Sequence, residues 1–392
     1  LITGWVVLAV VFARDRKSFF YTGDRLHLYL FVFLFTYLLI RLGVFLMPKA
    51  PRGWFAENIL LVSLMVAGGV SLLVALLTFK SSFARSKYWP RIVVGAVLFV
   101  AECFMLNRVR SGSIMVLDAD RNFYGVTRVE LREVIDPPEK FKIIQLAHGQ
   151  ITHGIQFATT NDWRNKPVSY YSINSGIGMV FEQHPRRRVA EPQSINVGVL
   201  GLGVGTLAAF GREGDRFRFY EINPAVIDYS ERPKPLFTYL RDCLAETAMV
   251  AGDARLSLQQ ELNAGHHNAF DILVMDAFSS DSVPVHLLTS EAFELYLRHL
   301  RDEDSVLAVN ISNRFLDFRD LMVSMARRFG MKVAFVDCTG DPPDRTPSRW
   351  CLISRGSLMD SPEFQQISTP YSASREIVWT DDFSNLFQML KR

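Results

Sequence analysis

The stretch GVLGLGVGTLAAFG, residues 198–211, places glycines at 201, 203 and 205 directly after an apolar run, INVGVL. A strand, a glycine turn and a following small-residue helix let a backbone approach a ligand closely, because glycine adopts positive φ freely. Three further apolar runs each end in a carboxylate. RFRFYEI (216–222) carries Glu221, TAMVA (247–251) leads into Asp253 and Ala254, and FDILVMD (270–276) ends on Asp276. Four consecutive strand ends thus deliver Gly201, Gly203 and Gly205, then Glu221, then Asp253 with Ala254, then Asp276. In an open parallel sheet ligands bind at the carboxyl ends of the strands. One acid can hold a ribose, and another can cap a helix or meet a base. Their coincidence on one edge points to a nucleoside site.

The elements that must position them follow from alternation. SVLAVNI (305–311) is a fifth strand, two more lie near 331–337 and 349–353, and helical stretches such as SEAFELYLRHL (290–300) separate most of them. This predicts an α/β fold with a parallel, doubly wound, Rossmann-like sheet over residues 191–356. Residues 111–190 predict a small β-rich domain with short strands at SIMVL, FYGVTRV and FKIIQL. His148 and His153, each followed by glycine, are expected in turns or at the surface. Five apart on one strand they would face opposite sides, so no metal pair is expected. Residues 357–392 read as a C-terminal tail.

The first 107 residues differ in kind. Leu28–Met47 holds twenty residues with one charge, and Ile59–Phe79 holds twenty-one with none. Each suffices to cross roughly 30 Å of hydrocarbon. Ile92–Leu106 is a shorter third candidate, and Leu1–Ala13 resembles the end of a further span, so upstream spans are expected to be missing. Arg41 and Glu102 fall at similar depth in their spans and can be paired. The chain is 49% hydrophobic with mean hydropathy +0.13, and nearly all the excess lies before residue 107. Loop charges such as Arg14, Lys17, Lys80 and Arg85 place the first and third loops in the cytoplasm, which after four crossings leaves the C-terminal domain outside. Use of a cytosolic metabolite requires it inside. The expectation adopted is an integral protein of the inner membrane with a cytoplasmic soluble domain.

The net charge of +3 does not favour a nucleic-acid partner. Four cysteines, at 103, 243, 338 and 351, form no CxxC pair; neither a zinc site nor a disulfide framework is expected, and a reducing compartment is the simpler reading. A dinucleotide fingerprint would read GxGxxG/A, whereas here the sixth position is Thr206 and no phosphate-binding lysine follows. The co-substrate expected is therefore S-adenosylmethionine or a relative of it, not NAD.

RNFYGV (121–126), the repeated HisGly, PVSYY (167–171), YEINP (220–224), GDARL (252–256) and DAFSSD (276–281) together resemble the spermidine synthase family, especially its bacterial membrane-fused branch. The resemblance spans about residues 120–355. It implies a small β-domain before a methyltransferase-like sheet. It also implies transfer of an aminopropyl group from decarboxylated S-adenosylmethionine to an amine, leaving methylthioadenosine. By the same resemblance Asp276 is the catalytic aspartate and Tyr170 places the amine. Tyr124, Tyr171 and Asp281 belong to the substrate side, Glu221 binds the ribose, and Asp253 binds the adenine. The sequence departs from the family in three places. Val204 stands where soluble members carry an acid in GGGDGG. Gly125 follows Tyr124 where they carry glutamine. Tyr171 and Ser172 stand where an acid follows the tyrosine. These departures keep open a methyltransferase with a different, lipid-proximal substrate, and a non-catalytic subunit of a membrane complex. The expected partners are a small amine or other acceptor, the lipid bilayer, and a second copy or a membrane-complex subunit.

Overall fold

The computed structural model describes residues 115–136, 139–149, 151–158, 163–277, 284–340 and 346–391. The expected spans within residues 1–107, with Arg41 and Glu102, lie outside these residues, as does Asp281. Among the described residues no helix is long and apolar enough to cross a membrane. All described residues fall in one compact unit, Ile114–Arg392.

The first part is an antiparallel meander of β1 (Met115–Asn122), β2 (Gly125–Asp136), β3 (Glu139–His148) and β4 (Ile151–Phe157), paired in that order. The sequence predicts three short strands here; the structure has four. The missed strand is ITHGIQF, because HisGly at 153–154 reads as a turn. Only His148–Gly149 borders a turn, with Gly149 at φ +62°. Gly154 lies inside β4, where a Cβ would come within 2.6 Å of the Val204 side chain. A glycine within a strand marks such a close approach, and here it seats β4 on the glycine turn.

The second part is a seven-stranded sheet in the order β10-β11-β9-β8-β5-β6-β7. Its members are β5 (Asn196–Leu200), β6 (Arg216–Glu221), β7 (Glu246–Ala251), β8 (Ile272–Met275), β9 (Val306–Asn310), β10 (Lys332–Cys338) and β11 (Ser348–Ser354). The first five are mutually parallel. β11 runs antiparallel to both β9 and β10, which corrects the expected parallel sheet. Residues 339–347 are too few for a parallel crossover, which needs a dozen or more, so β10 and β11 form a hairpin.

Both faces of this sheet are covered. Val197, Val199, Ile272, Val274, Val306 and Ala308 enter one core, while Leu200, Leu273, Met275, Leu307 and Val309 enter the other. Alternate residues of a strand point to opposite faces, so strands buried on both sides read as continuous apolar runs. The helices are α1 (Gly176–Gln183), α2 (Pro224–Glu231), α3 (Ala254–Asn263), α4 (Ser290–Arg298), α5 (Arg319–Arg328) and α6 (Pro362–Ile367). The helix expected after the glycine turn is a single 3-10 turn, Thr206–Phe210. Only five residues separate Gly205 from Gly211, where the chain turns back toward β6. Residues after 356 return to the domain: Trp379 and Met389 are buried in the second core, and Ser290 donates its N–H to the Trp379 carbonyl at 2.8 Å.

Candidate active site

Ladder hydrogen bonds carry the strand ends into register. Gly201 N–H donates to the Tyr220 carbonyl at 2.8 Å, Gly252 N–H to the Glu221 carbonyl at 2.9 Å, and Asp276 N–H to the Leu200 carbonyl at 3.0 Å. The residues that follow β5, β6, β7 and β8 are thus held level along one edge. Gly201, Gly203 and Gly205 have φ of +99°, +55° and +81°. At Gly201 a Cβ would sit 2.5 Å from the Asp276 carbonyl oxygen, and at Gly203 one would sit 2.8 Å from the His153 carbonyl oxygen. The turn is therefore wedged between the exit of β8 and the middle of β4. Gly205 instead faces Leu240 and Tyr239 and does not line the cavity.

Above this edge lies a cavity of about 420 Å³. It is lined by Gly201, Glu221, Asp253 and Ala254, by Asp276 and Asn310, and by Tyr124, Tyr170, His148 and His153. The meander is fastened over the sheet by Asn122, whose Nδ2 donates to Asn223 Oδ1 at 2.7 Å. Thr127 and Tyr229 add a hydroxyl pair at 3.0 Å, and Arg232 bonds Asp118 at 2.7 Å.

Glu221 accepts from the Leu202 N–H at 2.9 Å and from the Asn223 N–H at 2.8 Å. It braces the glycine turn and still borders the cavity. Burial raises its pKa, opposed by those backbone donors. Asp253 is the N-cap of α3, accepting from the Leu256 N–H at 2.9 Å. Its second oxygen meets His286 Nε2 at 3.0 Å, and this bond chiefly holds its pKa below the usual carboxylate range. His286 is a site neighbour that sequence reasoning missed.

Asp276 is gripped from two sides. Tyr171 donates its hydroxyl to Oδ2, and Asn310 Nδ2 donates to Oδ1 at 2.8 Å. Burial nevertheless raises its pKa to about 6, with both hydrogen bonds acting in the opposite direction. Burial, reinforced by the neighbouring carboxylate, pushes the Tyr171 hydroxyl well above its ordinary range, so it remains a donor. Tyr171, expected on the substrate side, is thus the tyrosine whose hydroxyl reaches Asp276. Tyr170 also lines the cavity, and its carbonyl accepts from Trp350 Nε1 at 3.0 Å. Asn310 was not singled out from the sequence. The signal was available, since it ends the fifth strand just as the four named groups end theirs. Val204 is buried beneath Gly154 and does not line the cavity.

The cavity presents the carboxylates of Glu221 and Asp253 and that of Asp276, whose pKa burial raises to about 6. Such a group can attract a cation and accept a proton near neutral pH. Among the described residues no group of three metal-ligating side chains occurs.

No family model matches the chain, and no curated protein matches it. Among solved structures it is similar to a spermidine synthase in complex with the transition-state analogue AdoDATO, at TM-score 0.41 and 15% identity over 68% of this chain and 82% of that one. A spermidine synthase from Thermotoga maritima gives 0.40 and 14% over 68% and 81%. The methyltransferase domain of bacterial CtHen1 gives 0.26 and 10% over 41% and 89%.

Proposed function

We propose that this chain transfers an aminopropyl group from decarboxylated S-adenosylmethionine to an amine acceptor. The observation that carries the reading is the place of Asp276. It lines one cavity together with Glu221, Asp253 and Tyr170, and its carboxylate is oriented by Tyr171 and Asn310.

Adenosine would lie over the glycine turn with Glu221 toward the ribose and Asp253 toward the adenine. The sulfonium then falls beside Asp276. An alkylamine with a pKa near that of lysine, about 10.4, arrives protonated and must lose a proton to attack. Asp276 attracts the ammonium and accepts that proton. The freed nitrogen pair forms a bond to the carbon next to sulfur, the carbon–sulfur bond breaks, and its electron pair stays on sulfur as neutral methylthioadenosine. The hydropathy of residues 28–47 and 59–79 extends the proposal to a membrane anchor, with the catalytic domain on the cytoplasmic side.

The test supplies the protein with decarboxylated S-adenosylmethionine or S-adenosylmethionine, plus a panel of primary amines, and identifies the nucleoside product. Methylthioadenosine is expected. S-adenosylhomocysteine would replace the reading with methyl transfer, and neither product would remove catalysis from it.

A further inference from the structure

His148 ends β3 and His153 lies within β4, so the two imidazoles meet across a hairpin rather than along one strand. Their ring centroids are 5.5 Å apart with planes inclined by 39°, and both rings line the same cavity as Asp276. The position of His148 depends on Gly125. That residue has φ +119°, and a Cβ on it would lie 2.3 Å from His148 Nε2. The absence of a side chain at 125 and the ring at 148 are therefore one feature: the space belongs to the imidazole.

His153 Nε2 is shielded from solvent and has no hydrogen-bond partner. Buried polar atoms are nearly always paired, and this unpaired one belongs to a side chain that lines the cavity, so it is a group for a ligand to satisfy. The neighbouring hydroxyls are already engaged. Thr127 bonds Tyr229, and Thr152 accepts from Gln145 at 2.8 Å. Burial, then the proximity of His148, lowers the His153 pKa to about 4, so this ring is uncharged at neutral pH. A neutral imidazole offers one donor and one acceptor nitrogen, and a hydroxyl can serve either. It offers no negative charge to an ammonium, whose burial without a counter-charge is costly.

We propose that His148 and His153 form the acceptor-recognition wall of the cavity, and that the acceptor is a primary amine whose far polar group is uncharged, an amino alcohol rather than a diamine. This rests on the aminopropyl-transfer reading above.

The test measures binding of 4-aminobutan-1-ol and of 1,4-diaminobutane by calorimetry to the full chain saturated with methylthioadenosine. The amino alcohol is expected to bind at least about tenfold more tightly, as for a site built around a hydrogen bond to a hydroxyl. His153→Asp is expected to reverse the preference, and His153→Asn, which keeps a neutral hydrogen-bonding group, to retain it. Tighter binding of the diamine by the unaltered protein overturns the proposal, as does binding of neither amine. A ratio unmoved in a folded His153→Asp variant overturns it as well. Should that variant not fold, the unaltered protein and His153→Asn decide. Methylthioadenosine release from decarboxylated S-adenosylmethionine, measured on the same samples, reports separately on transfer. The expected binding preference without release for any amine would retire the transfer chemistry and leave the wall's selectivity standing.

Discussion

The hydroxyl of Tyr171, in the 3-10 turn Ser169–Tyr171 between β4 and α1, donates to the carboxylate of Asp276, 105 residues later at the exit of β8. The bond joins the segment linking the meander to the sheet with the centre of the ligand edge. It also opposes the rise in the Asp276 pKa that burial causes.

Tyr171→Phe removes a donor that favours the ionised carboxylate. The Asp276 pKa should then rise further above about 6. The acid limb of the kcat/KM profile is expected to move to higher pH by a measurable fraction of a unit or more. A limb that stays in place while the rate falls would make Tyr171 a packing residue only.

In the unaltered protein the base form of Asp276 exists above its folded pKa of about 6 and is lost as pH falls through that value. Transfer rate should therefore decline on the acid side of about 6. A bound sulfonium stabilises the carboxylate, so the acid limb of kcat is expected below that of kcat/KM. Identical limbs in the two profiles would argue that the cation does not lie beside Asp276.

Asp276→Asn retains the shape that Tyr171 and Asn310 enclose but cannot accept a proton. General base catalysis contributes about 10² to 10⁴-fold, and turnover should fall by a factor in that range. Methylthioadenosine affinity should stay within a few-fold, because the proposed reading gives the nucleoside to Glu221 and Asp253. Calorimetry beside steady-state rates checks this, and near-normal turnover in the folded variant would refute the assignment.

Much of this edge was legible in the sequence because central parallel strands are continuous apolar runs that stop where the chain turns into the site. Glu221, Asp253 and Asp276 could be placed at a common level from strand ends alone. The direction of β11 was not legible from its own residues, since an antiparallel central strand is as apolar as a parallel one; only the short 339–347 connection determines it. That the Tyr171 hydroxyl meets Asp276 depends on backbone direction in an irregular segment, which no periodicity reports. The His148–His153 contact depends on a hairpin register with a bulge between Leu146 and Ala147, and on a glycine whose purpose appears only once the ring fills its space.

Asp253 has two roles that substitution can separate. As N-cap of α3 it accepts the Leu256 N–H, and through its other oxygen it meets His286, which also lines the cavity. Asparagine caps a helix about as well as aspartate, whereas alanine costs about 0.5–2 kcal/mol. Asp253→Ala should therefore lower the melting temperature, and Asp253→Asn should leave it nearly unchanged. If the residue also recognises the adenine amino group, Asp253→Asn must put either an NH2 group or a carbonyl of reduced charge opposite that donor. A charge-assisted hydrogen bond is roughly twice as strong as a neutral one, so methylthioadenosine should bind about tenfold more weakly to Asp253→Asn at unchanged stability. Full affinity in that variant, with loss only in Asp253→Ala, would confine Asp253 to the helix cap and leave the adenine to be held by backbone and His286.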